Sequence, residues 1–293
     1  MSATPPPQIA ITGLGCVTAL GADATSTWEA LHTGRSARGP LTAIGVDGCR
    51  VTEGAEASLP SWPSWPEKRL RRLSRSTRLA LPAVRQALSE ARLLDANDRC
   101  LLPRLEMSVS TTACGMEKGE EFLRALWSKT RTGQSARVAQ YQSQAQTGAI
   151  HDLFGFDGPV MTVANACAGG GNAIGHAADL IRSGMTDIVL AGGYEALSEL
   201  VFTGFDGLQS LAPEACRPFD RGRRGLMLGE GAAFLVLENA DRARARGAKI
   251  LGYLAGYGQT TDTHHLTQPA PDGAPLERAM RRALEQGRIN ASD

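Results

Sequence analysis

The apolar positions fall into short continuous runs separated by stretches of helical periodicity. Residues 8–12 (Gln-Ile-Ala-Ile-Thr) predict a short buried strand and Trp28–His32 one or two helical turns, while 40–65, rich in Gly, Pro and Ser, predicts loop and short strands. From Glu67 to Leu94 the pattern becomes helical: Leu70, Leu73, Thr77, Leu81, Val84 and Leu88 recur at three- and four-residue steps, with Pro82 a predicted kink or break. Met107–Thr112 predicts a strand, followed by a polar, helix-rich segment from about Gly115 to Leu153. Val160–Ala164 (strand), 168–183 (helix) and Asp187–Ala191 (strand) make a βαβ unit. Ala232–Leu237 is a further buried strand, Asn239–Arg246 a short basic helix, Ile250–Gly256 a strand and Pro275–Gly287 a helix. Strands alternating with helices over this length predict an α/β protein whose layered sheet is covered on both faces. The doubled Ser-Trp-Pro at 61–63 and 64–66 is local and marks no architectural repeat.

Composition changes this picture little. At 293 residues, 42% hydrophobic and net charge +1, the chain has material for one large core or two smaller ones, and no global basic excess of the kind that nucleic-acid binding favours. No apolar run reaches the roughly 18–20 residues of a membrane span, and Met1–Pro7 lacks the build of a signal peptide, so the expected location is cytoplasmic. The six cysteines show no CxxC spacing, and neither a disulfide framework nor a structural metal is expected. One local charge excess stands out. Residues 66–92 carry Lys68 and seven arginines against Glu67 and Glu90, an excess of +6. Such a run is either a solvated helix face or a dock for an acidic partner; without interleaved aromatics, a nucleic acid is the poorer fit.

Two glycine-rich segments invite chemistry. Gly13-Leu14-Gly15-Cys16-Val17-Thr18 follows the first strand, but Thr18 holds the third glycine position of a dinucleotide fingerprint and no long helix opens from it. A tight strand-to-loop turn needing positive φ is the expected structure there. Ala164-Asn165-Ala166-Cys167-Ala168-Gly169-Gly170-Gly171 is sharper: a strand ends in a thiol, and small residues open a helix. That placement puts Cys167 at the positive end of a helix dipole beside unpaired backbone N–H groups, which favours a thiolate and stabilises a developing oxyanion. It is the logic of the nucleophile elbow with sulfur as the attacking atom, against the plainer alternative of a buried structural cysteine in a tight turn. His264-His265 stands in a threonine-rich loop with no third ligand nearby, too little for a metal site.

These residues carry a family resemblance running from Ile9 to the last residue. Ile11-Thr12-Gly13-Leu14-Gly15 with Val17-Thr18, Ala166-Cys167 and the glycines after it, Gly192-Gly193-Tyr194-Glu195, Cys216-Arg217-Pro218-Phe219-Asp220, Leu228-Gly229-Glu230-Gly231-Ala232, and Asp262 through His265 and Thr267 to Pro271-Asp272-Gly273 stand in the order and spacing of the β-ketoacyl-[acyl carrier protein] synthases. The chain is similar to these condensing enzymes of fatty acid and polyketide synthesis. The resemblance implies the thiolase-like layered α-β-α-β-α fold, with residues 1–248 the N-terminal half and 249–293 the opening of an incomplete second half. It further implies that Cys167 accepts an acyl group as a thioester, its own N–H forming half of an oxyanion hole. Phe205 matches a tunnel-lining residue, Ala113 falls at or next to the position of a bulky tunnel gate, and Asp262 and His265 fall on a mobile loop at the entrance. Lys68, Arg71 and Arg72 fall where the family binds acyl carrier protein, whose phosphopantetheine arm brings the substrates, so that no bound cofactor is implied. A homodimer, or a heterodimer with another synthase-like chain, is the implied assembly.

The sequence also departs from the family. Neither the Asn-x-His-Gly-Thr segment, nor the later Gly-His segment, nor the late loop that completes the oxyanion hole occurs in the 293 residues. The expectation is a fragment of a longer enzyme, or a chain completed by another. Gln140–Gln146 replaces a more apolar family run near the dimer interface. Three functions remain open: the acylated half of a decarboxylative condensation, a non-catalytic partner that shapes an acyl tunnel, and a plain transacylase or thioester hydrolase.

Overall fold

The computed structural model describes residues 7–60, 67–129, 134–265 and 268–292; the Ser-Trp-Pro doubling and Thr267 lie outside them. In chain order the elements are β1 (Ile9–Thr18), α1 (Ala24–His32), β2 (Gly39–Pro40), β3 (Glu53–Gly54), α2 (Glu67–Leu70), α3 (Arg75–Glu90), β4 (Glu106–Ser110), α4 (Met116–Trp127), α5 (Gln134–Tyr141) and α6 (Ser143–Phe154). Then follow β5 (Val160–Val163), a 3₁₀ turn (Ala166–Ala168), α7 (Gly169–Arg182), β6 (Ile188–Glu195), α8 (Glu199–Gly207), β7 (Gly231–Asn239), α9 (Ala240–Ala245), β8 (Gly252–Leu254) and α10 (Ala274–Gly287).

Six strands form one mixed sheet in the order β5-β4-β6-β7-β1-β8. β4 runs parallel to both β5 and β6, so the crossover through α7 carries the chain over β4 and does not join neighbouring strands. β6–β7, β7–β1 and β1–β8 are antiparallel. β8 adds to the edge of β1 through Ile9, Ala10 and Ile11. Alternation along the strands divides the core. Leu190 and Val236 face α3, whose Leu79, Leu81, Val84 and Leu88 are buried, whereas Val189, Ala191 and Leu237 face Ala177, Ala178 and Ile181 of α7.

Two expectations are corrected. Gly13 and Gly15 lie inside β1 with no positive φ, and their role is close packing: a Cβ would sit 2.0 Å from the Ala87 carbonyl oxygen at Gly13 and 2.0 Å from that of Ala83 at Gly15. The G-x-G spacing is therefore the period-two face of a strand on which α3 rests, not a turn. Nor does Pro82 break the helix. α3 runs unbroken through it, and the interruption falls before Ser74, whose side chain accepts the Thr77 N–H as an N-cap. Overpacking at β1 has a measurable consequence. Gly15→Val is expected to cost at least the upper end of the usual ~1–3 kcal/mol range for overfilled cores and to abolish a cooperative thermal melt, whereas Gly39→Ala, which meets nothing within 4 Å, leaves it intact. A normal melt for Gly15→Val would show that α3 does not lie on β1.

Candidate active site

The parallel strands β4, β5 and β6 deliver their C-terminal ends to one rim of the sheet, and α7 begins there. Glycine makes the approach possible: a Cβ on Gly169 would lie 2.0 Å from Ser110 Oγ, and one on Gly175 would lie 2.4 Å from the Tyr257 ring. The Ser108 hydroxyl, in β4, donates to the Ala173 carbonyl at 2.8 Å and ties the helix to the sheet.

Between β5 and α7, Ala166 adopts left-handed φ +54° at the start of the 3₁₀ turn, and its carbonyl accepts the Gly169 N–H. A residue with a Cβ holds that conformation only where its surroundings impose it. The turn raises Cys167 out of the strand and leaves it exposed. The leading N–H groups of such a turn have no partner within it. The strand thus ends four residues before the cysteine and the helix opens two residues after it, a little longer on both sides than the sequence suggests.

The other five cysteines are less exposed. Burial pushes the thiols of Cys16, Cys49, Cys100 and Cys114 above the ordinary cysteine value, the neighbouring acids adding to this at Cys16, Cys49 and Cys114. Those four hold their protons more tightly and react more slowly at neutral pH.

Beside the turn lies a groove of about 740 Å³ lined by Asn165, Ala168, Asn172, Thr260, Asp262 and Arg282 among others. Its far wall is held by the Tyr257 hydroxyl donating to Asn172 Oδ1, by Thr260 Oγ1 donating to the Pro275 carbonyl at 2.6 Å, and by Arg282 donating to the Gln259 carbonyl at 2.7 Å. Asp262 thus lies in one groove with the Cys167 turn. Its carboxylate accepts the Ala270 N–H at 2.8 Å and the His264 N–H at 2.9 Å, bonds that hold it below the usual carboxylate range. His265 is exposed on that loop.

Ala113 is buried, and its N–H donates to Glu195 at 3.0 Å. Phe205, on α8, is not among the groove residues; it packs against Leu41, Ile44, Val51, Phe202 and Leu211 in a separate apolar cluster. The basic run is divided by its partners. Arg75 is engaged by Glu230 and Glu56, Arg85 by Asp98 and Arg69 by Asp152; Lys68, Arg69, Arg71 and Arg72 are all exposed around α2. The +6 excess is therefore not one continuous surface.

Sequence reasoning attached no role to Thr112, Glu195, Asn172 or Tyr257. Glu195 and Tyr257 sit at a strand end and in a loop, where no periodicity marks them, and their bonds span 83 and 85 positions.

A mixed α/β layer protein that raises an exposed cysteine on a strained turn at the head of a buried helix is the class this geometry defines. Residues 7–243 match the model of the family described as beta-ketoacyl synthase, N-terminal domain, and the chain belongs to that family of fatty acid and polyketide synthesis. It is 37% identical over 290 residues to nodulation protein E of Rhizobium meliloti (strain 1021), covering 98% of this chain and 71% of that protein. It is 33% identical over 294 residues to 3-oxoacyl-[acyl-carrier-protein] synthase 2 of Staphylococcus aureus (strain N315), covering 98% and 70%. Among solved structures, a type II PKS acyl-carrier protein in complex with its ketosynthase bound to the hexaketide aligns with a TM-score of 0.81 and 26% identity, over 98% of this chain and 71% of that one. The fold is the thiolase-like layered α/β arrangement, as the resemblance implies. Among the described residues no helix is long and apolar enough to cross a membrane.

Proposed function

We propose that this chain carries the acyl-accepting step of a β-ketoacyl synthase. The Cys167 thiolate attacks the carbonyl of an acyl thioester borne on the phosphopantetheine arm of an acyl carrier protein. The new C–S bond forms at Cys167, the pantetheine thiolate leaves and takes up a proton, and the carrier departs free. A malonyl-type extender then loses carbon dioxide, and its enolate takes the acyl group. The observation that supports this reading is the exposed Cys167 on its strained turn at the N-terminus of α7, with the groove alongside. Retention of the cysteine favours an acylated enzyme over a tunnel-shaping partner without a nucleophile. The groove walls, with Asp262 and the 258–262 segment, serve as the approach for the pantetheine arm. Ala113 and Phe205 line the acyl tunnel, and His265 stands at its entrance. Pairing with a second synthase-like chain completes the assembly.

The test is thiol selectivity. Limiting iodoacetamide at neutral pH, followed by peptide mapping, is expected to modify Cys167 ahead of Cys16, Cys49, Cys100, Cys114 and Cys216, burial retaining the protons of the first four. Preferential labelling of any of these in a folded sample removes Cys167 as the nucleophile.

Carrier docking is assigned to Lys68, Arg71 and Arg72, which are exposed around α2. Rim charges steer encounter more than they hold a complex. Arg71→Glu with Arg72→Glu is expected to lower the association rate with an acidic carrier protein roughly ten-fold or more at low salt and to flatten its salt dependence. An unchanged rate at low ionic strength, measured by surface plasmon resonance, would make this a solvated face only.

A further inference from the structure

We propose that Thr112 and Glu195 are positioning residues for Cys167, acting through Ala166. The inference deepens the acyl-transfer reading and rests on it. Glu195 is the last residue of β6, beside the end of β4 on the rim where α7 begins. Its carboxylate gathers the three residues that follow β4 closely. Oε2 accepts the Thr112 N–H at 2.8 Å, and Oε1 accepts the Ala113 N–H at 3.0 Å and the Thr111 hydroxyl at 3.1 Å. The Thr111 hydroxyl oxygen in turn accepts the Cys114 N–H at 3.0 Å, and Cys114 turns the chain with φ +54°. A carboxylate has acceptor sites for all three donors at once, and no neutral side chain of similar size matches it.

The 111–114 segment held in this way presents one group to the cysteine turn: Thr112 Oγ1 accepts the Ala166 N–H at 3.1 Å. Ala166 is the strained residue. Its carbonyl is bound by the Gly169 N–H and its N–H by Thr112, so both of its peptide groups are fixed while its φ stays left-handed. Cys167 follows directly, and its direction is set by the torsions of Ala166. Thr112 and Ala166 are both exposed, so water would satisfy either group equally well and packing is not what the bond supplies. What it supplies is aim. The thiol and the N–H groups of the turn keep a fixed relation to one another, and attack on a thioester needs that relation because the developing oxyanion must land on the donors as sulfur approaches carbon. Alkylation by a small, freely diffusing reagent needs only an exposed thiolate.

That difference supplies the experiment. The 293-residue chain and its Thr112→Val, Thr112→Ala, Thr112→Ser and Glu195→Gln variants are compared in two reactions at Cys167. One is alkylation by iodoacetamide; the other is self-acylation from hexanoyl-pantetheine, followed by mass spectrometry with thermal midpoints recorded alongside. Thr112→Val and Thr112→Ala are expected to keep alkylation within about two-fold while acylation falls roughly a hundred-fold, the scale of an ångström of misplacement. Thr112→Ser, which keeps the acceptor, is expected to restore acylation to within about three-fold, and Glu195→Gln to fall between. Equal acylation by the Val, Ala and Ser variants overturns the positioning role while leaving Cys167 as nucleophile. A wild-type chain alkylated preferentially elsewhere, or not acylated at all, overturns the acyl-transfer reading and this inference with it. Parallel loss of both reactions in Val and Ala at an unchanged thermal midpoint would make Thr112 a determinant of thiol exposure and would likewise overturn it.

Discussion

Arg75→Met is expected to lower the unfolding free energy by about 3–5 kcal/mol, the range for stripping one partner from a buried ion pair. The Glu230 side chain has 0% exposure and that of Arg75 20%. Arg75 Nε lies 2.8 Å from Glu230 Oε2, its Nη2 donates to Oε1 of the same carboxylate, and Nη2 also donates to the Ala57 carbonyl at 2.8 Å. Glu230 further accepts the Ala57 N–H at 2.9 Å and the Leu197 N–H at 3.2 Å. One carboxylate thereby ties the segment after β3, the first residue of α3, the segment after β6 and the entry to β7. The guanidinium responds in kind: its hydrogen bonds to Glu230, set against the cost of burial, raise its affinity for the proton. With Met in place of Arg75, the Glu230 charge keeps two amide donors and loses its counter-ion in a site closed to water. Arg75→Met combined with Glu230→Leu is expected to cost less than the single change, because no charge is then left buried. Urea denaturation with a constant m-value reads both. A single variant within 1 kcal/mol of wild type would show that solvent reaches Glu230 after all.

That ion pair also marks where a sequence stops being legible. Arg75 sits in a run of like charges and reads there as one more surface arginine, while Glu230 sits in a glycine-rich motif 155 positions away. Nothing local distinguishes Arg75 from Arg72, which is exposed. The same limit applies at β1. Glycine at alternate positions serves a turn or a close-packed strand equally, and only the carbonyls of α3 above Gly13 and Gly15 decide for the strand. At Pro82, packing wins over propensity. Leu79, Leu81, Val84 and Leu88 are buried around it, and their burial outweighs the backbone hydrogen bond that proline cannot make. The placement of Cys167 between a strand and a helix is legible because its signal is local: a β-rich run, a small-residue turn and a helix stand within twenty residues. Thr112 is not, since the bond that gives it meaning crosses 54 positions to a residue whose torsion no side chain announces.

Offered acyl- and malonyl-carrier protein together, the 293-residue polypeptide is expected to form an acyl-enzyme at Cys167 and to release no carbon dioxide above background, and Cys167→Ala is expected to form no acyl-enzyme. Acylation asks for a sulfur nucleophile and a backbone donor, and the exposed Cys167 stands on the 166–168 turn. Decarboxylation asks for more, because the developing enolate needs hydrogen-bond donors on its oxygen and the condensation needs an acid–base group. Such groups contribute about 10²–10⁴-fold and each oxyanion donor about 10²–10³-fold. Three of the five histidines are committed to other settings. His32 stacks on Trp28, His151 packs edge-on against Phe156 with burial pushing its imidazole toward the neutral form, and His176 lies along α7. His264 and His265 are exposed on the loop that follows Asp262. Where two imidazoles and a second oxyanion donor are wanting at the thiol, the multiplied deficit places condensation many orders of magnitude below acyl transfer. Carbon dioxide release from ¹⁴C-malonyl carrier protein reads the second step, and intact-protein mass reads the first. Sustained release by a monodisperse sample, lost on His265→Ala and unaffected by His32→Ala, would show that His265 supplies the acid–base group.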